Sequence, residues 1–114
     1  MNTHEMKLRP EPFEKMRQGI KTVEVRLNDE KRKAVKVGDY IVFSQTDSGE
    51  KLTTEVKGLY PYPTFVWLFR AFPATLFGCE ESTTEAEFVA SMGQYYGEDE
   101  ERANGVLGIG IRVR

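Results

Sequence analysis

A single cysteine, Cys79, and a single histidine, His4, make up all the thiol and imidazole chemistry in this sequence. No internal disulfide can form, and the ligand set of a structural zinc site cannot be assembled. The carboxylates show no spacing that suggests a metal held by oxygen alone, so no metal and no other cofactor is expected. An oxidising compartment gives such a chain no advantage, and a cytoplasmic location is the expectation. No apolar run approaches the roughly 20 residues that cross a bilayer. The N-terminal stretch MNTHEMKLRP also lacks the basic-then-apolar pattern of a signal peptide. The reading is therefore a soluble, non-exported protein with no membrane partner. Excess charge of one sign is missing too: 16 basic and 18 acidic side chains leave a net charge of -2, which argues against tight nonspecific binding to a phosphate backbone. There is no P-loop and no G-x-S-x-G elbow. Most of the chain separates Cys79 from His4, and His4 alternates with Met6 and Leu8, the pattern of a satisfied inward-facing histidine rather than a catalytic one.

What is present suits one core. A chain of 114 residues with 39% hydrophobic residues is of single-domain size, and no linker, repeat or low-complexity tract divides residues 1–114. THEMKLR alternates as a half-buried strand. PEPFEKMRQG follows as a short helix, opened by Pro10 and Pro12, with Phe13 and Met16 on one face and Gly19 as its stop. From Gly19 the period returns to two: Val23, Val25 and Leu27 point one way, Thr22, Glu24 and Arg26 the other, and the alternation puts Lys21 on the apolar side. Asn28 or Asp29 can cap a helical turn, and Gly38-Asp39 marks a turn into YIVFSQ and KLTTEVKGLY, two strands joined by TDSGE as a hairpin. Thr64 can cap FVWLFRAF, and Ser82 or Thr84 can cap EAEFVASMGQYY. VLGIGIRVR closes the chain as a strand, with Gly108 and Gly110 on one face implying close approach by a helix, a backbone or a ligand. About five strands interrupted irregularly by helices predict an α+β fold, a small and mostly antiparallel β-barrel with flanking helices. Nothing in the sequence sets an oligomeric state.

Charge is uneven along the chain. Residues 1–57 carry 12 basic and 10 acidic side chains, residues 58–114 carry 4 and 8, so an anion site is expected in the first half. There GIKTVEVR places Glu24 and Arg26 on one strand face, Cα atoms roughly 7 Å apart. Two readings stand. The pair forms cross-strand salt bridges on a wet sheet face, or it lines a cleft in which a carboxylate accepts from an exocyclic amine and an arginine pairs with phosphate or a base edge. In the second reading Lys21 supplies a phosphate contact or a general base. Lys31, Arg32, Lys33 and Lys36 form either a solvated loop or an electropositive rim. Tyr60, Tyr62 and Trp67 are candidates for stacking on an unpaired base, although most of LYPYPTFVWLF reads more simply as core. Tyr95 and Tyr96 read as a helix end packing down.

GIKTVEVR also resembles the G-x-K-x-x-E-x-R signature of the ASCH domain, a family of the PUA-like superfamily, with Gly19, Lys21, Glu24 and Arg26 in the four fixed positions. The likeness extends to the opening strand and helix, the KVGD turn and the closing GIGI strand. Small bacterial ASCH proteins carry a helical insertion after the fourth strand, corresponding here to about residues 64–103. The resemblance implies a PUA-type barrel with a cleft beside the signature residues, and single-stranded RNA, a nucleotide or a nucleoside as partner. Lys21, Thr22, Glu24 and Arg26 are the candidate ligand-binding residues of that cleft, and in the electropositive-rim reading of the residues themselves Lys31 and Arg32 position its phosphate. One ASCH-like branch hydrolyses N4-acetylcytidine with a lysine, a threonine three positions later and a distal glutamate. Lys21 matches the lysine, but Glu24 stands where the threonine would be. The alternative implied is a small amidohydrolase in which Lys21 and Glu24 activate water directly.

Overall fold

A computed structural model describes all residues, 1–114. The elements follow in the order β1 (Thr3–Leu8), α1 (Pro10–Arg17), β2 (Val23–Leu27), α2 (Glu30–Lys33), β3 (Tyr40–Gln45), β4 (Lys51–Tyr62), α3 (Phe65–Ala71), a 3-10 turn (Ala74–Phe77), α4 (Glu85–Met92), α5 (Glu98–Asn104) and β5 (Val106–Val113). The strands make one five-stranded sheet in the order β1-β3-β4-β5-β2. The β1/β3 pair is parallel and the other three pairs are antiparallel. The fold is thus α+β with a mostly antiparallel sheet, as expected.

The sheet curls without closing, which corrects the expectation of a complete barrel. β1 and β2 are its two edges and share no ladder. The gap between them is spanned by a side chain, Arg26, whose Nη2 donates to the Lys7 carbonyl at 2.6 Å. Backbones held apart by an arginine are too distant for the spacing of about 4.8 Å that ladder hydrogen bonds need.

One core cluster lies inside the curl, where Phe13 and Met16 of α1 meet Ile41, Phe43, Val56 and Ile109. The second lies between β2 and the helical segment, built from Val23, Val25, Phe65, Leu68, Phe77 and Phe88. β5 serves both: it is buried from Val106 to Ile111, and its glycines let the second layer approach. A Cβ on Gly108 would stand 2.8 Å from Leu68 Cδ1 of α3, and one on Gly110 would stand 3.2 Å from the Tyr60 ring. The close approach is therefore made by a helix and an aromatic ring.

The insertion between β4 and β5 holds α3, the 3-10 turn, α4 and α5. Thr64 caps α3. Thr84, not Ser82, caps α4, in a reciprocal capping box with Glu87. α4 ends at Met92, short of Tyr95 and Tyr96. α5, EDEERAN, buries no residue, so no apolar stripe announced it. At the opposite side Asp39 ties the start of β1 to the turn before β3. It accepts from His4 at 2.8 Å and from the backbone N–H groups of Asn2 and Lys36, and these bonds, led by that from His4, hold its carboxyl down at about 2. No helix is long and apolar enough to cross a membrane.

Candidate functional site

Gly19 leaves α1 with a φ of +81°, a conformation glycine adopts without strain. The next two backbone N–H groups, of Ile20 and Lys21, both donate to the Lys15 carbonyl. The strand proper begins only at Val23. Lys21 therefore lies outside the alternating segment, and its assignment to the apolar face is corrected: its Nζ stands 3.0 Å from Glu24 Oε1. The stem of Lys21 runs against Gly78, where a Cβ would come within 3.3 Å of it. Its amine donates to the Phe77 carbonyl at 3.0 Å and to the Val23 carbonyl at 3.3 Å as well. Three acceptors thus match the three N–H donors of an ammonium.

Glu24 is buried between two cations. Oε1 faces Lys21, and Oε2 accepts from Arg26 Nε at 2.6 Å. Burial pushes the carboxyl up, but the charges of Lys21 and Arg26 and their hydrogen bonds outweigh it and hold the group below its ordinary range. Glu24 is accordingly an acceptor only. Arg26 commits Nε to Glu24 and one Nη2 hydrogen to Lys7, which leaves the Nη1 donors and a second Nη2 hydrogen unused.

These three side chains line a cleft of about 770 Å³. One wall is the end of β1 and the helix α1 that follows it, with Arg9 between them and Lys15 in the last turn of α1. The other is the 3-10 turn, α4 and the residues after it, with Phe77, Phe88, Tyr95 and Tyr96. Two bonds join the walls: Arg9 Nη1 donates to Tyr95 Oη at 2.8 Å, and Lys15 Nζ to the Gly78 carbonyl at 2.7 Å. Tyr96 stacks on Phe65 with ring centroids 5.7 Å apart. Burial raises its phenol, Arg26 opposes that rise and Glu24 adds to it. Burial also raises the Cys79 thiol, against the nearby charges of Lys21 and Lys15.

Not every residue singled out in the sequence reaches this cleft. Thr22 lines a separate hollow of about 230 Å³ with Met16, Ile111 and Arg112, while its backbone bonds to Leu76 and Ile111. Lys31 and Arg32 lie on α2 and do not line the cleft. Arg32 turns back to Asp29, the residue that caps that helix, at 3.1 Å, and Lys31 is exposed. Tyr60 packs edge-on against Phe72, and Trp67 lies half-exposed beneath the Arg70 guanidinium. The aromatics at the cleft are instead Tyr95 and Tyr96, read from the sequence as packing. Arg9 and Lys15 went unnoticed because their partners lie 86 and 63 residues away. The second half of the chain supplies one wall of this cleft. The described residues contain no group of three or more His, Cys, Asp or Glu side chains placed to hold a metal.

A curled α+β half-barrel with a buried lysine and glutamate and a partly buried arginine at its open seam is the class that fold and site define. The ASCH domain family matches residues 6–112, and the chain belongs to that family. Among solved structures it is similar to the hypothetical protein PH0355, at 33% identity and a TM-score of 0.86 over 100% of both chains. It is similar also to protein PF0455 from Pyrococcus furiosus, at 28% identity and a TM-score of 0.74, over 97% of this chain and 96% of that one. A mutant form of the ASCH protein of Zymomonas mobilis shares the fold at 15% identity and a TM-score of 0.66, over 96% of this chain and 67% of that one. No curated protein matches the chain.

Proposed function

We propose that the cleft binds a nucleotide or an exposed base of single-stranded RNA, in keeping with the RNA binding generally proposed for ASCH domains. The observation that carries this reading is the pairing of Glu24 and Arg26 at the cleft floor. Glu24 is ionised and acceptor-only, and Arg26 keeps donors to spare beside it. An acceptor next to a donor complements the edge of a nucleobase, where amine or imide hydrogens adjoin ring nitrogens and carbonyls. Tyr95 and Tyr96 offer aromatic surface on the wall. Lys21 fixes the carboxylate in place and has no N–H left for a ligand, so its role here is to hold Glu24.

The hydrolytic reading gains no comparable support. Thr22 lies outside the cleft, and the Lys21 amine is engaged by three acceptors.

The test is titration of the four nucleosides, their monophosphates and short single-stranded RNAs into wild type, Arg26→Ala and Arg102→Ala. Arg102 is an exposed arginine paired only with Asp99 on its own helix. Arg26→Ala should weaken binding about tenfold or more, the scale of one charge-assisted hydrogen bond, and Arg102→Ala should leave it unchanged. Equal binding by all three proteins would remove the cleft from consideration.

A further inference from the structure

The chain has eight arginines. Six of them, Arg17, Arg26, Arg32, Arg70, Arg102 and Arg114, stand within 4 Å of a carboxylate. Arg9 and Arg112 do not, and of these two only Arg9 lines the large cleft. Its one side-chain bond crosses the cleft to Tyr95 Oη. Because that oxygen accepts from Arg9, the phenol hydrogen is free to donate elsewhere. Lys15 stands on the same wall, with Nζ engaged by the Gly78 carbonyl and by Glu11 at 3.3 Å, leaving one N–H. Guanidinium, phenol and ammonium together present donors, which suits a group that only accepts.

Resting on the nucleotide-cleft reading, we infer that Arg9, Tyr95 and Lys15 form a phosphate subsite at the cleft mouth, so that the ligand is a phosphorylated nucleotide or a phosphodiester rather than a free nucleoside. The position agrees with the size of such a ligand. Arg26 at the floor touches the Lys7 carbonyl. Arg9 follows Lys7 by two residues, roughly 7 Å along the chain, a span that one ribose bridges. The acids of the same cleft are mostly committed: Glu24 to Lys21 and Arg26, Glu11 to Lys15, and Glu87 to the backbone of Thr84. Asp47 and Glu80 also line the cleft without an ion pair, and Asp47 acts on Arg9 through space.

The experiment compares each nucleoside with its 5′- and 3′-monophosphates by calorimetric titration, using wild type, Arg9→Ala and Tyr95→Phe. Both side chains are exposed, and a melt of each variant confirms the fold. Wild type is expected to bind one monophosphate about tenfold more tightly than the nucleoside. Arg9→Ala should erase that preference while its nucleoside affinity stays unchanged, and Tyr95→Phe should reduce the preference. Nucleosides bound as tightly as monophosphates by wild type, or a preference intact in both variants, would overturn the subsite and leave the base-binding floor standing. Failure of wild type to bind any nucleoside or monophosphate would overturn the subsite and the cleft reading together.

Discussion

Glu24 concentrates the energetics of the site in one side chain. A buried carboxylate is costly unless paired, and here two cations share it. Its folded pKa lies below the value of 4.5 it has in an open chain. The native state therefore holds fewer protons than the unfolded one as pH falls through that range. The stabilisation is complete above about pH 4.5 and is lost as pH drops through the depressed folded value. Glu24→Gln should lower stability at pH 7 by about 3 kcal/mol, the lower end of the cost of breaking a buried pair, and its melting temperature should converge with that of wild type as the solution is acidified. Equal melting at pH 7 would show that the pair contributes nothing net. The motif residues were legible in the sequence, but their mutual contact was not: alternation sent Lys21 to the wrong side because the strand starts two residues after it.

At the scale of elements, local signals located most of the pieces. The capping residues Asp29, Thr64 and Thr84 do cap their helices, since a side-chain oxygen at the start of a helical segment acts through bonds three residues long. α5 was not legible, because it buries no residue and so carries no apolar stripe. β5 is the element most constrained from both sides. Gly108→Ala should cost about 1–3 kcal/mol, the usual cost of overpacking, because its methyl group meets the fully buried Leu68 and the side chain of Val23. Thermal melts of that variant beside Gly49→Ala, at a hairpin glycine with nothing near its absent Cβ but a φ of +75°, separate packing cost from backbone cost. A Gly108→Ala protein as stable as wild type would mean that α3 is free to shift.

At the scale of the molecule, the unclosed seam is the feature that joins stability to the proposed binding site. Arg26 reaches from β2 across to β1 and at the same time offers its spare donors to the cleft, so a ligand bound there touches the clasp of the half-barrel. Arg26→Lys keeps the charge but loses the fork that holds Glu24 and Lys7 together. Hydrogen exchange should then quicken in residues 3–8 and 23–27 while the interior strand β4 keeps its protection. Uniform exchange across the sheet would show that the seam is held by packing alone.

By itself the sequence determined most of the elements, though not α5, together with the α+β character, the apolar faces of β1 and β2 and the four residues of the signature, because these follow from periods of two and 3.6 and from bonds a few residues long. Tertiary structure alone decided that the sheet stays open, that Lys21 meets Glu24, that Thr22, Lys31 and Arg32 stand apart from the cleft, and that Arg9 and Tyr95 meet across it. Those outcomes depend on how a twisted sheet curls and on contacts spanning up to 86 residues, and neither the direction of the curl nor such a contact leaves a local pattern in the chain.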